Sequence, residues 1–278
     1  MGLGEGQKQG FRKRRTEDDS LADVDLSSSA DMVGQGPDRR RRESGWPVSG
    51  ARTPHVLIPV KRLTRAKSRL SLSVDCHRGE LALAFAVDTA LTAAAVTTVT
   101  VVCDDPRVRA VMTDLSIEVI TDGAATGLNE AIGHATASFG TSHVAVLTSD
   151  LPALRGPELA DALTATTTKP RSFVADADGT GTVLLAGRAD ALRSAFGTDS
   201  ARAHRRAGFI ELVGRWPGLR RDVDTADNLA DATMLGLGAH TARLLADTGY
   251  SVRVLTHVRL PGHRGRIRPG NPQRLGPE

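Results

Sequence analysis

Between residues 54 and 165, short β-branched runs alternate with alanine- and leucine-rich stretches of helical period, and this alternation leaves few folds open. Runs at 56–60, 98–103, 117–121 and 144–147 predict strands, and the stretches at 80–95, 107–112, 128–138 and 158–165 predict helices. Pro157 stands where the first turn of a helix tolerates a residue without an amide N–H. Strands separated by helices require a mostly parallel sheet covered by helices on both faces. Further on, the runs at 172–176 and 181–186 lie close together and predict an antiparallel pair at a sheet edge, which makes the sheet mixed. Helices are expected again over 201–207 and from about Ala226. No internal repeat is visible.

Composition bounds the folding unit. Residues 1–53 carry arginines at 39–42, serines at 27–29, scattered glycine and proline and no hydrophobic period, and they read as a disordered tail. Residues 257–278, with Pro261, Pro269, Pro272 and Pro277, read the same way, which leaves 54–256 as the domain. The formal net charge of +4 invites a nucleic-acid reading until it is divided. The domain holds 21 basic and 22 acidic side chains, the N-terminal tail 10 and 9, and the C-terminal tail 5 and 1. The excess belongs to the tails, so no nucleic acid is expected on the domain. Nucleic-acid binding through the Arg-rich tails is the alternative of another class, and its mark is salt-dependent RNA binding lost on deletion of 1–53. Cys76 and Cys103, the two cysteines, cannot build a disulfide framework and point to a reducing cytoplasm. The apolar stretches around 81–87 and 99–103 fall short of the roughly 20 residues of a bilayer span. The N-terminus lacks the apolar segment of a secretory signal. No membrane partner is expected.

In open α/β sheets, ligands bind beyond the carboxyl ends of strands, which selects the segments after Val60, Cys103, Thr121 and Leu147. After Val60, the residues Lys61, Arg62, Arg65, Lys67 and Arg69 crowd one loop, although lysine supplies only five of the chain's 36 basic residues. Ammonium point charges and guanidinium forks at a strand end suit a polyphosphate. Neither a Walker loop nor a complete Gly-x-Gly-x-x-Gly occurs. After Leu147, Asp150 takes a position common for metal or ribose ligands, and it lies too far before Pro157 to cap the next helix. Asp222 and Asp224 alternate across Val223, so extended chain turns both carboxylates to one face, where Mg2+ would relieve their repulsion. Asp224 or Thr225 equally suits the cap of the helix from about Ala226.

Two further segments suggest a small anionic ligand. In Asp176-Ala-Asp-Gly-Thr-Gly-Thr182, Gly179 and Gly181 allow close backbone approach, and Thr180 and Thr182 bring hydroxyls; the same run also reads as a hairpin turn. Phe196-Gly-Thr-Asp-Ser200 precedes a helix whose N-terminal amides favour an anion, and 198–200 also reads as that helix's cap. His204 and Arg205 read as a solvated helix face. Nucleophilic catalysis has poor candidates: Ser149 lacks a Gly-x-Ser-x-Gly elbow, Cys76 and His77 read as surface loop, and Cys103 as core.

Taken in order, Ile58-Pro-Val-Lys61, Ala66-Lys-Ser-Arg-Leu70, Gly127-Leu-Asn-Glu-Ala131, Ser149-Asp-Leu-Pro152, Phe173-Val-Ala-Asp176 with Gly179-Thr-Gly-Thr182, Phe196-Gly-Thr-Asp-Ser200 and Asp222-Val-Asp-Thr225 form a pattern. It resembles the 2-phospho-L-lactate guanylyltransferase family of coenzyme F-420 biosynthesis, in particular its actinobacterial phosphoenolpyruvate guanylyltransferase branch. The resemblance covers about residues 54–246. It implies a nucleotide-diphospho-sugar transferase (glycosyltransferase-A-like) fold and transfer of GMP from GTP to phosphoenolpyruvate with Mg2+. The resemblance puts phosphoenolpyruvate on Thr182, Gly197 and Ser200, the GTP phosphates on Lys61, Lys67 and Arg69, guanine near Asn129, and metal on Asp150 with Asp222 and Asp224. It also implies hand-off of the product to the next enzyme of the pathway. The sequence departs from the family at the extra acidic Asp178 and in its long N-terminal extension. 2-Phospho-L-lactate and 3-phosphoglycerate remain alternative acceptors, and another nucleotidyltransferase of the same fold remains an alternative enzyme.

Overall fold

The first strand, β1 (His55–Pro59), turns Val56 and Ile58 to one face of a sheet and Leu57 to the other, and all three are buried. In β4 (His143–Leu147), Ala145 and Leu147 join the first face, Val144 and Val146 the second. Strands buried on both sides need a helical layer on each. The computed structural model, which describes residues 53–65, 76–123 and 125–248 within the unit Gly45–Glu278, supplies both layers. Apart from Thr53, the expected tails lie outside the described residues, as do Lys67 and Arg69.

The first face is covered by α1 (Cys76–Ala94), α2 (Pro106–Asp114) and α4 (Gly156–Thr167). From these, Ala86, Ala90, Ala93, Val108, Met112, Leu159 and Leu163 enter one core. The second face is covered by α3 (Leu128–Ala137) and α5 (Ser200–Arg206), through Ala131, Ile132, Ala135 and Ala201. The remaining strands are β2 (Val99–Val102), β3 (Glu118–Ile120), β5 (Arg171–Ala175), β6 (Thr182–Arg188) and β7 (Ile210–Glu211). Helices α6 (Pro217–Arg220), α7 (Ala226–Leu235) and α8 (Ala239–Asp247) follow. The strand order is β3-β2-β1-β4-β6-β5-β7. All neighbours pair in parallel except β6, which runs antiparallel to both β4 and β5.

The expected antiparallel pair therefore exists, but not at the edge. β6 lies inside the sheet, and beyond β5 the two-residue β7 forms the border. So short a strand leaves no periodicity for sequence reading to detect.

The C-terminal helix is held by a distant carboxylate. Asp88 of α1, only 5% exposed, accepts hydrogen bonds from the amides of His240 (3.0 Å) and Thr241 (2.9 Å) at the start of α8, and from His240 Nδ1 (3.1 Å). A Cβ on Gly238 would lie 2.3 Å from Asp88 Cγ, so glycine is required for this approach. Asp88→Ala leaves first-turn amides without their acceptor, and the expected result is a loss of about 2 kcal/mol, read from the urea midpoint.

Candidate functional site

Strands β1 to β5 and β7 run in one direction and β6 in the other, so six carboxyl ends and the amino end of β6 share one edge of the sheet. Lys61 and Arg62 leave β1 there, both exposed. Their loop is braced by Asp105: one carboxylate oxygen accepts from the Leu63 amide at 3.0 Å, and the other caps α2 through Arg107 N (3.0 Å) and Val108 N (3.4 Å). Asp104 and Asp122 meet at the ends of β2 and β3. Hydrogen bonding from Asp122, first its side chain and then its amide, holds the Asp104 carboxyl below the usual carboxylate range, and Arg62 and Arg109 add to this. Sequence reading passed over all three acids, because each looks like an ordinary turn residue until the strands are aligned.

Asp150 follows β4. Its backbone is clamped from two sides: its carbonyl accepts the Val223 amide at 3.1 Å, and the buried Thr89 hydroxyl takes the Leu151 amide at 3.2 Å. Val223 is fully buried against Phe85 and Leu229, which fixes the alternation and carries Asp222 and Asp224 to the end of β4 beside Asp150. Thr225 caps α7 in a reciprocal box with Asn228, so Asp224 is not needed as a cap. Among the described residues, no group of three or more His, Cys, Asp or Glu is placed to hold a metal ion, so Asp150, Asp222 and Asp224 do not form a ready three-ligand cage. Asp150 with one carboxylate of the pair is a hard oxygen set that fits Mg2+, an ion that commonly takes one or two carboxylates and completes its shell from phosphates and water.

The run from Asp176 to Gly181 is the turn between β5 and β6, with Gly179 at φ +74°. The opening at Gly181 accommodates the protein's own carboxylate and not a ligand. Asp176, 8% exposed, accepts from Thr180 N (2.9 Å) and Gly181 N (2.7 Å), and a Cβ on Gly181 would lie 2.4 Å from Asp176 Oδ2. The turn is joined to the acidic segment by Ala177 N to Arg220 O (2.7 Å) and Arg220 Nη2 to Asp176 O (3.1 Å). It is joined to α5 by Ala201 N to Thr180 O (3.0 Å). Asp178 is exposed.

Thr182, Gly197 and Ser200 are thus brought together, with Thr182 5% and Ser200 2% exposed and Gly197 at φ +143°. The helix-cap and helix-amide readings need correction. Asp199 precedes α5 in a left-handed conformation without a side-chain cap, and the first amides are engaged internally, Ser200 N on Gly197 O (3.2 Å) and Ala201 N on Thr180 O. Thr182 and Ser200 bring hydroxyls to this cradle. The structure also uses both ends of the Asn129 amide on one backbone: Nδ2 donates to Phe196 O (2.9 Å) and Oδ1 accepts from Phe196 N (2.8 Å). Asn129 thereby orders the approach to Gly197.

His204 is fully buried and not solvated. It lies three residues after Ala201, on the same helix face, and that spacing was the legible signal, masked by the flanking arginines. Its ring sits among Phe173, Phe196 and Phe209 at centroid distances of 5.8, 5.5 and 5.5 Å. Arg205 and Arg171 cover the Phe173 and Phe209 rings. Burial pushes the imidazole down to about 4. A histidine held neutral in the fold contributes stability that is complete above its unfolded value near 6.5 and falls away as pH drops toward 4, because the unfolded chain binds the proton first. The expected loss over that window is about 3 kcal/mol. Burial also lowers His55 and His143, so the check is differential: His204→Gln loses less urea stability between pH 7 and pH 4.5 than the unaltered chain does.

The chain is similar to known proteins. Residues 54–260 match a family model described as "Guanylyl transferase CofC like". The phosphoenolpyruvate guanylyltransferase of Geodermatophilus obscurus is 47% identical over 200 residues, 68% of this chain and 93% of that one. That of Salinispora arenicola is 50% identical over 196 residues, 68% and 92%. That of Mycolicibacterium smegmatis is 44% identical over 218 residues, 72% and 99%. Among solved structures, a putative nucleotide-diphospho-sugar transferase from Desulfovibrio desulfuricans aligns with a TM-score of 0.56 at 19% identity, covering 73% of this chain and 97% of that one. At that identity the likeness concerns the fold, which agrees with the fold class expected from sequence. Among the described residues, no helix is long and apolar enough to cross a membrane.

Proposed function

We infer the reaction from one premise: the chain belongs to the CofC-like guanylyl transferase family. It is a nucleotidyltransferase, and we propose that it transfers GMP from GTP to phosphoenolpyruvate in coenzyme F-420 biosynthesis, in the cytoplasm. The observation that carries this reading is the convergence, at one sheet edge, of a cationic loop, a carboxylate pair and a hydroxyl cradle, in a chain 44 to 50% identical to proteins of that name.

In this reading, Lys61 with Lys67 and Arg69 holds the GTP phosphates, and Thr182, Gly197 and Ser200 hold the acid phosphate. An oxygen of the phosphoenolpyruvate phosphate attacks the α-phosphorus of GTP in line. A new P–O bond forms, the bond from the α-phosphorus to the β-phosphate oxygen breaks, and pyrophosphate leaves, giving enolpyruvoyl-2-diphospho-5'-guanosine. The second pKa of a phosphate group is about 6, so the nucleophile is already ionised and no general base is needed. That agrees with a site edge built from cations, carboxylates and hydroxyls. What the protein has to supply is the approach of two polyanions, by positioning and charge neutralisation. Asp150 with Asp222 or Asp224 would hold Mg2+, which supplies charge neutralisation on the phosphates when bound.

The test is pyrophosphate release by the full chain with GTP and, in turn, phosphoenolpyruvate, 2-phospho-L-lactate and 3-phosphoglycerate, coupled to the next enzyme of the pathway to trap an unstable product. Preference for phosphoenolpyruvate is expected. Preference for another acid moves the acceptor, and release with none of them overturns the reading.

A further inference from the structure

We propose that His204 is a positioning residue that holds the Thr182 hydroxyl with its proton turned toward the acid phosphate, and that it keys the two halves of the cradle to each other. The proposal rests on the reading above that Thr182 contacts the acceptor.

His204 Nε2 lies 3.0 Å from the Ala195 amide nitrogen, and an amide N–H can only donate. Nε2 is therefore the bare nitrogen, and a neutral ring carries its proton on Nδ1. Nδ1 lies 2.9 Å from Thr182 Oγ1, so the threonine oxygen accepts there. Its own proton then needs another acceptor, and no described residue provides one. A hydroxyl fixed in this way is a one-way donor, suited to an anion and unsuited to a cation or a donor.

The surroundings enforce that polarity. Three phenylalanine rings enclose the imidazole and keep it neutral and in one orientation. The first two helix amides beside it, those of Ser200 and Ala201, are already engaged by the Gly197 and Thr180 carbonyls. The same ring also binds both parts of the cradle. Nδ1 holds the first residue of β6, and Nε2 holds Ala195, next to Phe196, whose backbone Asn129 fixes from the other side. Gly197 and Ser200 follow directly.

Two substitutions separate these contacts. In His204→Asn the side-chain amide reaches the place of Nδ1 and keeps a donor for Thr182, whereas in His204→Gln the amide carbonyl reaches the place of Nε2 and keeps an acceptor for Ala195. In the full chain, His204→Gln is expected to raise KM for the acid phosphate about tenfold or more, the scale of one hydrogen bond to a charged group. KM for GTP is expected to stay within about twofold and kcat nearly unchanged, while His204→Asn retains most of the affinity. In a Thr182→Val background, neither change should raise that KM further. Equal losses in both variants, an equal rise in KM for GTP, or additivity with Thr182→Val would each reduce His204 to a space-filling role. Nitrogen NMR of the imidazole decides the tautomer without any turnover, and a proton found on Nε2 overturns the proposal. That measurement separates its failure from failure of the assigned reaction, which shows instead as no pyrophosphate release by the unaltered chain.

Discussion

Asp150→Asn is expected to lower pyrophosphate release by on the order of a thousandfold while the protein stays folded. The two halves of that expectation have separate causes. The carboxylate sits just past β4, at the sheet edge where the acidic segment 222–224 arrives, and in the proposed reaction it faces the place where polyphosphate charge must be neutralised. Losing one formal charge there removes a preorganised interaction in a partly enclosed site, where such interactions are strongest. The main chain at this position is held by contacts of its own, and Asn keeps the size and shape of the side chain. Val223 and Thr89 grip the main chain around Asp150, and neither contact involves its side chain. The melting temperature should therefore move by only a few degrees. The comparison of Asp222→Asn with Asp224→Asn identifies the second carboxylate: the variant that loses about a hundredfold or more, and recovers partly as Mg2+ is raised, carries the ligand. Near-normal turnover by a folded Asp150→Asn protein would remove Asp150 from the machinery.

Legibility of this molecule in its sequence follows a physical line. Elements whose residues are buried on both faces or along one helical stripe announce themselves, because solvent exclusion imposes a period; β1, β4, α3 and α4 are of this kind. Candidate residues at strand ends were also legible, because parallel topology fixes where the ends go once the strands are known. The misses lie where the decisive partner is remote in sequence. β7 is set by its pairing with β5, not by its own two residues. Asn129 reaches Phe196 across 67 positions, and Asp88 reaches α8 across 152. His204 was misread because charge dominates a local window. The sequence Arg-Ala-His-Arg-Arg looks solvated until Phe173 and Phe209, on other elements, close over one side of the helix. Gly181 was misread for a related reason: room beside it is visible from composition, but only the fold shows that Asp176 fills it.

That last correction yields a sharp expectation about two aspartates two residues apart. Asp176→Ala should cost about 3 kcal/mol and lower the urea midpoint by about 1 M or more. Asp178→Ala should leave the midpoint where it is. Asp176 is buried and accepts two amides of its own turn at 2.9 and 2.7 Å, so truncation strands both N–H groups beside a cavity that is hard to rehydrate. Asp178 is exposed at the same turn. The consequence extends to the site, because the turn feeds directly into Thr182, and its Thr180 carbonyl anchors the first turn of α5 through Ala201. KM for the acid phosphate should therefore rise in Asp176→Ala with little change in KM for GTP, whose described proposed contact, Lys61, follows β1 on the other side of β4. Gly181→Ala attacks the same contact from the opposite side, since its Cβ would meet Asp176 Oδ2 at 2.4 Å, and it should reproduce both effects. If Asp176→Ala kept its stability while Asp178→Ala lost it, the carboxylate would not be what shapes the turn, and the cradle would have to be held by α5 and Asn129 alone.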